Sequence, residues 1–193
     1  SDNDFVRGYT FQMSRGQGPG STARGGFADR IPWGKDHHQI MDRRFRNTVG
    51  FGIIGDDLPE EHNSVTLDPT LKDSSGLPAP KINYTLSENS RRMLDHAMAR
   101  GREVLEEAGA IEVLYEPLMR ESGWHLLGTA RMGNDPERSV VDAHGQSHEV
   151  DNLFIVDGSV FVTGAAVNPT PTIQAIALRT ADYIANERQD LKA

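Results

Sequence analysis

The chain has 193 residues, of which 37% are hydrophobic, and its 20 basic and 28 acidic residues give a net charge of −8. An acidic balance without a basic cluster argues against nucleic acid as the partner. The absence of cysteine excludes disulfides, thiolate nucleophiles and cysteine-ligated metals. The longest nearly apolar run, residues 49–55, is far shorter than the ~20 residues that a membrane-spanning helix needs. We therefore expect a loop-rich, cytoplasmic globular protein without a membrane span.

The first part of the chain has the character of strands joined by loops. Alternating and β-branched residues predict four strands, at 6–13, 48–55, 64–68 and 80–86. The loop at 15–26 is rich in glycine. It lacks both the Lys-Ser/Thr ending of a phosphate-binding loop and a G-x-G-x-x-G pattern that opens a helix after a buried strand. We interpret this loop as an ordinary connection rather than a nucleotide site.

Residues 87–108 carry the clearest helical pattern. Ser87 is a suitable N-cap, and Gly109 is a natural stop just past the last turn. The apolar stripe that predicts the buried face consists of Met93, Leu94, Ala97, Met98, Val104, Leu105 and Ala108. We interpret this stripe as core packing.

The last part of the chain changes character. The continuous apolar run at 153–156 predicts a strand that is buried on both faces of a parallel sheet. It ends in Asp157 and Gly158, and a helix is predicted from Pro171 to about Glu187 with Thr170 as its N-cap. A buried strand, a loop and a capped helix form half of an α/β layer, in which ligands bind at the carboxyl ends of strands.

Four ordered motifs carry a family resemblance. They are W-H-L-L-G-T-A-R-M-G (124–133), V-V-D (140–142), D-N-L-F-I-V-D-G-S-V-F (151–161) and N-P-T-P-T-I-Q-A-I-A (168–177). Together they resemble the C-terminal signature of the glucose–methanol–choline (GMC) oxidoreductases, which are FAD-dependent alcohol oxidases and dehydrogenases. The strong match covers about 124 to 185, and the weaker match before it resembles the family's substrate domain.

The resemblance implies an α+β architecture in two parts. Residues 1–122 would form the substrate-binding domain, an antiparallel sheet with flanking helices. Residues 123–193 would be the C-terminal strand and helix of the FAD-binding α/β domain. The family's N-terminal G-x-G-x-x-G segment, which holds the ADP half of FAD, is not found in these 193 residues. We therefore expect this segment to come from a longer parent protein or from a separate chain.

The chemistry of alcohol oxidation by a flavin selects residues from these motifs. The hydroxyl proton needs a base, and His125 suits this role because the reference pKa of histidine is about 6.5. The resemblance implies the same role for His125. It matches Asn168 to the partner position, histidine or asparagine in this family, which would orient the substrate and hold its oxygen as it becomes alkoxide-like. The substrate would be a small alcohol or a sugar-like molecule.

The resemblance also implies the contacts of the cofactor. The N-terminus of the last helix would face the flavin pyrimidine, where its partial positive charge stabilises negative charge. The residues expected to contact FAD are Trp124, Asp157, Gly158, Asn168, Pro169 and Thr170. Gly158 would permit close backbone approach to the ribityl–phosphate part of the cofactor.

Each of these assignments has a structural alternative. His125 could be a hydrogen-bonded core histidine, Asn168 a loop residue before proline, and Asp157 a cap. No metal site is expected, because His37–His38 lacks an acidic cluster and because His144 and His148 lie in a turn region. Two other functions remain open. They are a binding module that keeps the fold without catalysis, and a lyase on the same scaffold.

Trp33 lies in the segment I-P-W-G-K, and its role stays open at this point. The indole could line a substrate cavity or anchor the loop.

Overall fold

The computed structural model describes residues 4–16, 18–24, 31–116, 118, 123–188 and 190. In chain order its elements are β1 (Tyr9–Arg15), α1 (Pro19–Ala23), α2 (His37–Arg44), β2 (Val49–Gly55), β3 (Ser64–Lys72), β4 (Pro78–Asn83), α3 (Glu88–Glu107), a 3₁₀ turn (Gly158–Val160) and α4 (Thr170–Asn186). The chain divides into two compact units. The first unit is Ser1–Asp56 with Glu88–Ser122, and the second is Asp57–Ser87 with Gly123–Ala193.

The first unit is built on an antiparallel strand pair. β1 and β2 are in register from Tyr9 opposite Gly55 to Arg15 opposite Val49, so the two predicted strands are confirmed with small shifts in their ends. The glycine-rich loop that follows β1 contains the short helix α1. Residues 17, 25 and 26 of that loop lie outside the described part of the chain.

Helix α3 matches its prediction at both ends and packs on this strand pair. The amide of Gly109, whose φ is +91°, donates to the carbonyl of Glu106, and the amide of Ala110 donates to that of Leu105. These two bonds form a Schellman stop, in which glycine adopts the left-handed conformation without a Cβ clash. The buried residues are Ser90, Met93, Ala97 and Gly101.

The buried face of α3 differs from the predicted stripe in its last turns. Val104 is half exposed, and the contact is made instead by Gly101, where a Cβ would lie 3.2 Å from the ring of Phe11 and 3.8 Å from that of Phe51. The prediction was wrong at this point because the bulk that fills the interface comes from the strand aromatics. The Phe11 and Phe51 rings are 5.1 Å apart and use the space that the missing side chain leaves.

Polar contacts also join the edges of α3 to the first strand. The side chain of Asn89 accepts a hydrogen bond from the amide of Val6 (2.8 Å) and donates to its carbonyl (3.1 Å). The Tyr9 hydroxyl lies 2.9 Å from Nδ1 of His96. The two bonds of Asn89 satisfy the backbone of Val6 just before β1, where the strand ladder has not yet begun.

In the second unit, β3 and β4 form an antiparallel hairpin that confirms the other two predicted strands. The pairing runs from Ser64 opposite Asn83 to Leu67 opposite Pro80, with an irregularity before Lys72. In that irregular stretch a carboxylate oxygen of Asp68 accepts hydrogen bonds from the Thr70 and Leu71 amides. The described part of the chain thus contains two separate two-stranded sheets rather than one antiparallel sheet.

The predicted parallel strand at 153–156 is not formed in the described structure. Phe154 makes one isolated antiparallel bridge to Gln146, and both Leu153 and Val156 are exposed. A fully buried strand needs a paired neighbour on each side. Within the described residues the segment has only this single bridge, so the α/β layer of an FAD-binding domain is not shown.

The start of α4 also differs from its prediction. Thr170 is the first helical residue, and Pro169 occupies the N-cap without a side-chain hydrogen bond of its own. Proline is accepted in this first turn because its amide nitrogen carries no hydrogen to satisfy. Among the described helices none is long and apolar enough to cross a membrane.

Met93 provides a test of the α3 interface. Its side chain is only 1% exposed, so Met93→Ala removes fully buried methylene groups and leaves a cavity. We expect the free energy of unfolding to fall by about 2–4 kcal/mol, as measured by urea denaturation. Met13→Ala is the matched control because Met13 is 73% exposed, and its effect should stay within about 0.5 kcal/mol. Equal effects of the two substitutions would contradict this packing.

Candidate active site

A short backbone ladder holds the W-H-L-L-G-T-A-R-M-G motif against the 3₁₀ turn. The amides of Gly128, Ala130 and Met132 donate to the carbonyls of residues 158–160 at 3.3, 2.9 and 2.8 Å. Gly128 has a φ of +87°, and a Cβ there would lie 3.2 Å from the carbonyl oxygen of Phe161. This glycine lets the two segments approach closely, so the first and third motifs form one local structure.

Gly158 lies where three segments meet. A Cβ at this position would lie 2.9 Å from Cδ2 of Leu127, 3.1 Å from the carbonyl oxygen of Leu126 and 3.4 Å from Cδ1 of Ile173. Leu126 directly follows His125, and Ile173 lies in the first turn of α4. The buried backbone of Gly158 therefore draws together the segments that carry the predicted base, the Asp-Gly pair and the start of the last helix.

The carboxylate of Asp157 caps the 3₁₀ turn. Its Oδ1 atom accepts a hydrogen bond from the amide of Ser159 at 2.7 Å. Hydrogen bonds from the side chain and the amide of Ser159 lower the pKa of Asp157 below 3.8, because they stabilise the ionised form. The structure thus shows the capping role that the sequence left open for this residue.

The other predicted site residues are accessible to a bound molecule. Trp124 is 72% exposed, Asn168 and Thr170 are exposed, and His125 and Pro169 are partly buried. The backbone contacts at Gly158 bring their segments together.

The N-terminus of α4 carries a partial positive charge that the helix itself does not neutralise. Its N-cap makes no side-chain hydrogen bond, and its first turn contains no acidic residue. The orphan amides of a helix start attract negative charge or an electron-rich carbonyl. A helix of 17 residues with such an end is suited to bind an electron-rich group of a ligand.

A set of residues that sequence reasoning missed holds α4 in place. Gly145 has a φ of +77°, and a Cβ there would lie 2.7 Å from the carbonyl oxygen of Ile155. The buried Thr180 hydroxyl donates to the carbonyl of His144 (2.8 Å), and the His144 ring stacks on Tyr183 at 4.0 Å. The turn D-A-H-G-Q contained a signal for Gly145, but nothing in the sequence pointed to its contact with α4.

His148 likewise has a role within the fold. Its Nε2 atom lies 3.1 Å from the carbonyl oxygen of Gly133 and 3.0 Å from Oγ of Ser139, whose hydroxyl donates to the carbonyl of Asp135. A carbonyl only accepts hydrogen bonds, so Nε2 carries the proton. The side chain fixes the loop that follows the ladder.

Comparison with known proteins identifies the family. A family model described as GMC oxidoreductase matches residues 59–177, more than half of the chain. The chain is 42% identical, over 99% of its length, to a 2-methyl-1,2-propanediol dehydrogenase from Mycolicibacterium austroafricanum, of which it covers 35%. It is also 30% identical, over 80% of its length, to the fructose dehydrogenase large subunit of Gluconobacter japonicus, of which it covers 28%. The chain belongs to the GMC oxidoreductase family.

A solved structure agrees at the level of the fold. The chain resembles a pyridoxine 4-oxidase from Mesorbium loti with a TM-score of 0.54 and 24% sequence identity, over 72% of this chain and 30% of that one. The chain spans only about a quarter to a third of the length of these relatives. The curated relatives include alcohol and sugar dehydrogenases and oxidases, which is consistent with oxidation of a CH–OH group.

The cap at Asp157 leads to a pH-dependent prediction. We expect Asp157→Ala to lower the free energy of unfolding by about 0.5–1 kcal/mol at neutral pH, at the low end because the carboxylate is exposed. Because the pKa of Asp157 is lowered in the folded protein, the ionised cap contributes to the free energy of unfolding above pH 3.8. This stabilisation is lost as the pH falls below that value.

Urea unfolding of both proteins at several pH values measures the difference. Asp157→Asn is the control, since its amide oxygen can cap but does not titrate, and it should stay close to the parent at neutral pH. A stability difference for Asp157→Ala that is independent of pH would contradict the role of the charged cap.

Proposed function

We propose that the protein is the C-terminal part of an FAD-dependent alcohol oxidoreductase that transfers hydride from a CH–OH group to the flavin. Membership of the GMC family supports the reaction class. The observation that carries the proposal is the meeting of Leu126, Leu127 and Ile173 at Gly158. It brings together the three segments on which an alcohol-oxidising site of this kind depends.

The residues around Gly158 fit an FAD cofactor. The uncapped start of α4, with Pro169 and Thr170, would hold an electron-rich part of the cofactor, and the exposed Trp124 and Asn168 would contact it. Gly158 contributes through its backbone, because the space beside its Cα is filled by leucine and isoleucine side chains. When bound, FAD accepts the hydride of the alcohol.

The chain's own residues then handle the proton and the oxygen. His125 takes the hydroxyl proton as general base, because an imidazole changes its charge near neutral pH. The side-chain amide of Asn168 donates a hydrogen bond to the substrate oxygen and stabilises its developing negative charge.

We assign residues 1–122 to substrate binding and residues 123–193 to the FAD-binding domain. The relatives are about three times as long as the region that matches, which leaves room for a segment that holds the ADP part of the cofactor. In this proposal a glycine-rich segment outside the 193 residues supplies that contact.

We propose a small alcohol or a sugar-like molecule as the substrate. This choice is supported by two relatives, which are named as dehydrogenases of 2-methyl-1,2-propanediol and of fructose. The test uses the complete, flavin-loaded protein that includes the proposed glycine-rich segment. It is mixed anaerobically with 2-methyl-1,2-propanediol or with fructose, and the absorbance of the flavin is followed. Bleaching of the oxidised flavin spectrum is expected with at least one of the two compounds. A product that forms without any change in the flavin spectrum would instead indicate a lyase.

Removing the base should slow the redox step strongly. In the complete enzyme we expect His125→Ala to lower the rate of flavin reduction by about 10²–10⁴-fold, the loss usual for a general base. Stopped-flow absorbance measures this rate, and equal flavin content of the two proteins separates catalysis from cofactor binding. Reduction at the unchanged rate would contradict the assignment of His125.

Asn168→Ala should cost about 10²-fold in the reduction rate while the flavin stays bound, because the substrate oxygen loses a preorganised donor. Asn168→His is the matched control, since histidine is the other residue expected at this position and can also donate. We expect it to retain more activity than the alanine variant. A variant that loses FAD but is reduced normally at saturating FAD would show that Asn168 is structural.

A further inference from the structure

Two cavities that are open to solvent lie at the end of the β1–β2 pair, and both are lined by the exposed residues Arg15 and Arg46. The first has a volume of about 380 Å³ and is also lined by Asn47 and Thr48. The second has a volume of about 480 Å³ and is also lined by Phe45. We call these two cavities together the arginine cleft. The proposed alcohol chemistry uses neither arginine.

The backbone at Arg46 is unusual for a residue with a side chain. Phe45 and Arg46 are the central residues of a turn that the Asn47 amide closes onto the carbonyl of Arg44 at 3.1 Å. Phe45 has φ −62° and ψ 125°, and Arg46 has φ +63°, which are the angles of a type II turn. Glycine is favoured at the second central position because a Cβ is strained there. An arginine in a glycine position indicates a role for its side chain.

Among the described residues, no ion pair neutralises the two arginines of the cleft. Arg43, one turn earlier, pairs with Glu112 at 3.3 Å, but neither Arg15 nor Arg46 takes part in an ion pair among the described residues. The guanidinium of Arg46 lies over the Phe45 ring at 5.1 Å, a cation–π contact that holds it in place. In a chain with a net charge of −8, two such guanidinium groups form a local positive site.

We propose that the arginine cleft binds a small organic oxyanion, a molecule that carries a phosphate or carboxylate group. Planar guanidinium groups bind the paired oxygens of such groups through parallel N–H···O hydrogen bonds. The hydroxyl of Thr48 and the amide of Asn47 add polar lining, while Met13 and Phe45 offer apolar surface to the organic part.

The test uses the full chain with inorganic phosphate as the probe, and sodium acetate as a second arm. Binding is followed by two-dimensional NMR of the backbone amides at millimolar anion, with sodium chloride at matched ionic strength as reference. The variants are Arg46→Gly and Arg15→Gln. Arg43→Gln is the matched control. Like the other two substitutions it removes one positive charge, but Arg43 lies on α2 and does not line the cleft.

We expect saturable shifts at the amides of residues 45–49, and an affinity about tenfold lower in Arg46→Gly and in Arg15→Gln, the loss usual for a charged hydrogen bond. Arg43→Gln should bind like the parent. Arg46→Gly should also melt at the same or a higher temperature than the parent, because glycine relieves the positive-φ strain. A loss of affinity in this variant is then not a loss of folding.

The two arms identify the ligand group. A response to phosphate alone assigns a phosphate-bearing ligand, and a response to acetate assigns a carboxylate. The absence of saturable binding of either anion would overturn the proposal. Equal affinity in the parent and in both cleft variants would do so as well, because the binding would then lie elsewhere on the chain.

Discussion

The close packing at Gly158 is the constraint on which the candidate site depends. A Cβ at this position would lie 2.9 Å from Cδ2 of Leu127, 3.1 Å from the Leu126 carbonyl oxygen and 3.4 Å from Cδ1 of Ile173, so the Leu127 side chain and the Leu126 backbone would have to shift. Because the segments of these three residues carry His125 and the start of α4, the geometry of the proposed active site follows from the absence of one Cβ. Packing within the protein is by itself sufficient to explain the glycine at this position.

Around Gly158, the residues that anchor the structure differ from the residues proposed to react. Thr180, Gly145 and His148 make hydrogen bonds or tight contacts that hold α4 and the preceding loops. The residues proposed for the chemistry, by contrast, are exposed or only partly buried, and the first turn of α4 contains no acidic residue. The frame of the candidate site is therefore held by hydrogen bonds and close packing, while its predicted residues are exposed or partly buried.

Local patterns predicted the elements whose partners are near in the chain. The four strands and helix α3 followed from alternation, helical periodicity and the glycine stop at Gly109, because these signals act within a few residues. The apolar segment at 153–156 was predicted to be a buried strand. Its hydrophobicity indicates that it needs neighbouring strands, but it does not indicate whether such strands are present. The prediction that Val104 is buried was wrong for a related reason. The aromatic rings of Phe11 and Phe51 fill the interface beside Gly101.

The sequence by itself determined the family, the order of the motifs and the residue types suited to alcohol oxidation, because these depend on identity and spacing along the chain. Only the tertiary structure decided that Gly158 is the meeting point of the motifs, that Asp157 caps a turn, and that Arg46 occupies a glycine conformation. The physical reason is that steric contact and backbone strain arise between atoms brought together by folding. When the contacting residues are distant in the sequence, no local sequence pattern indicates that they will meet.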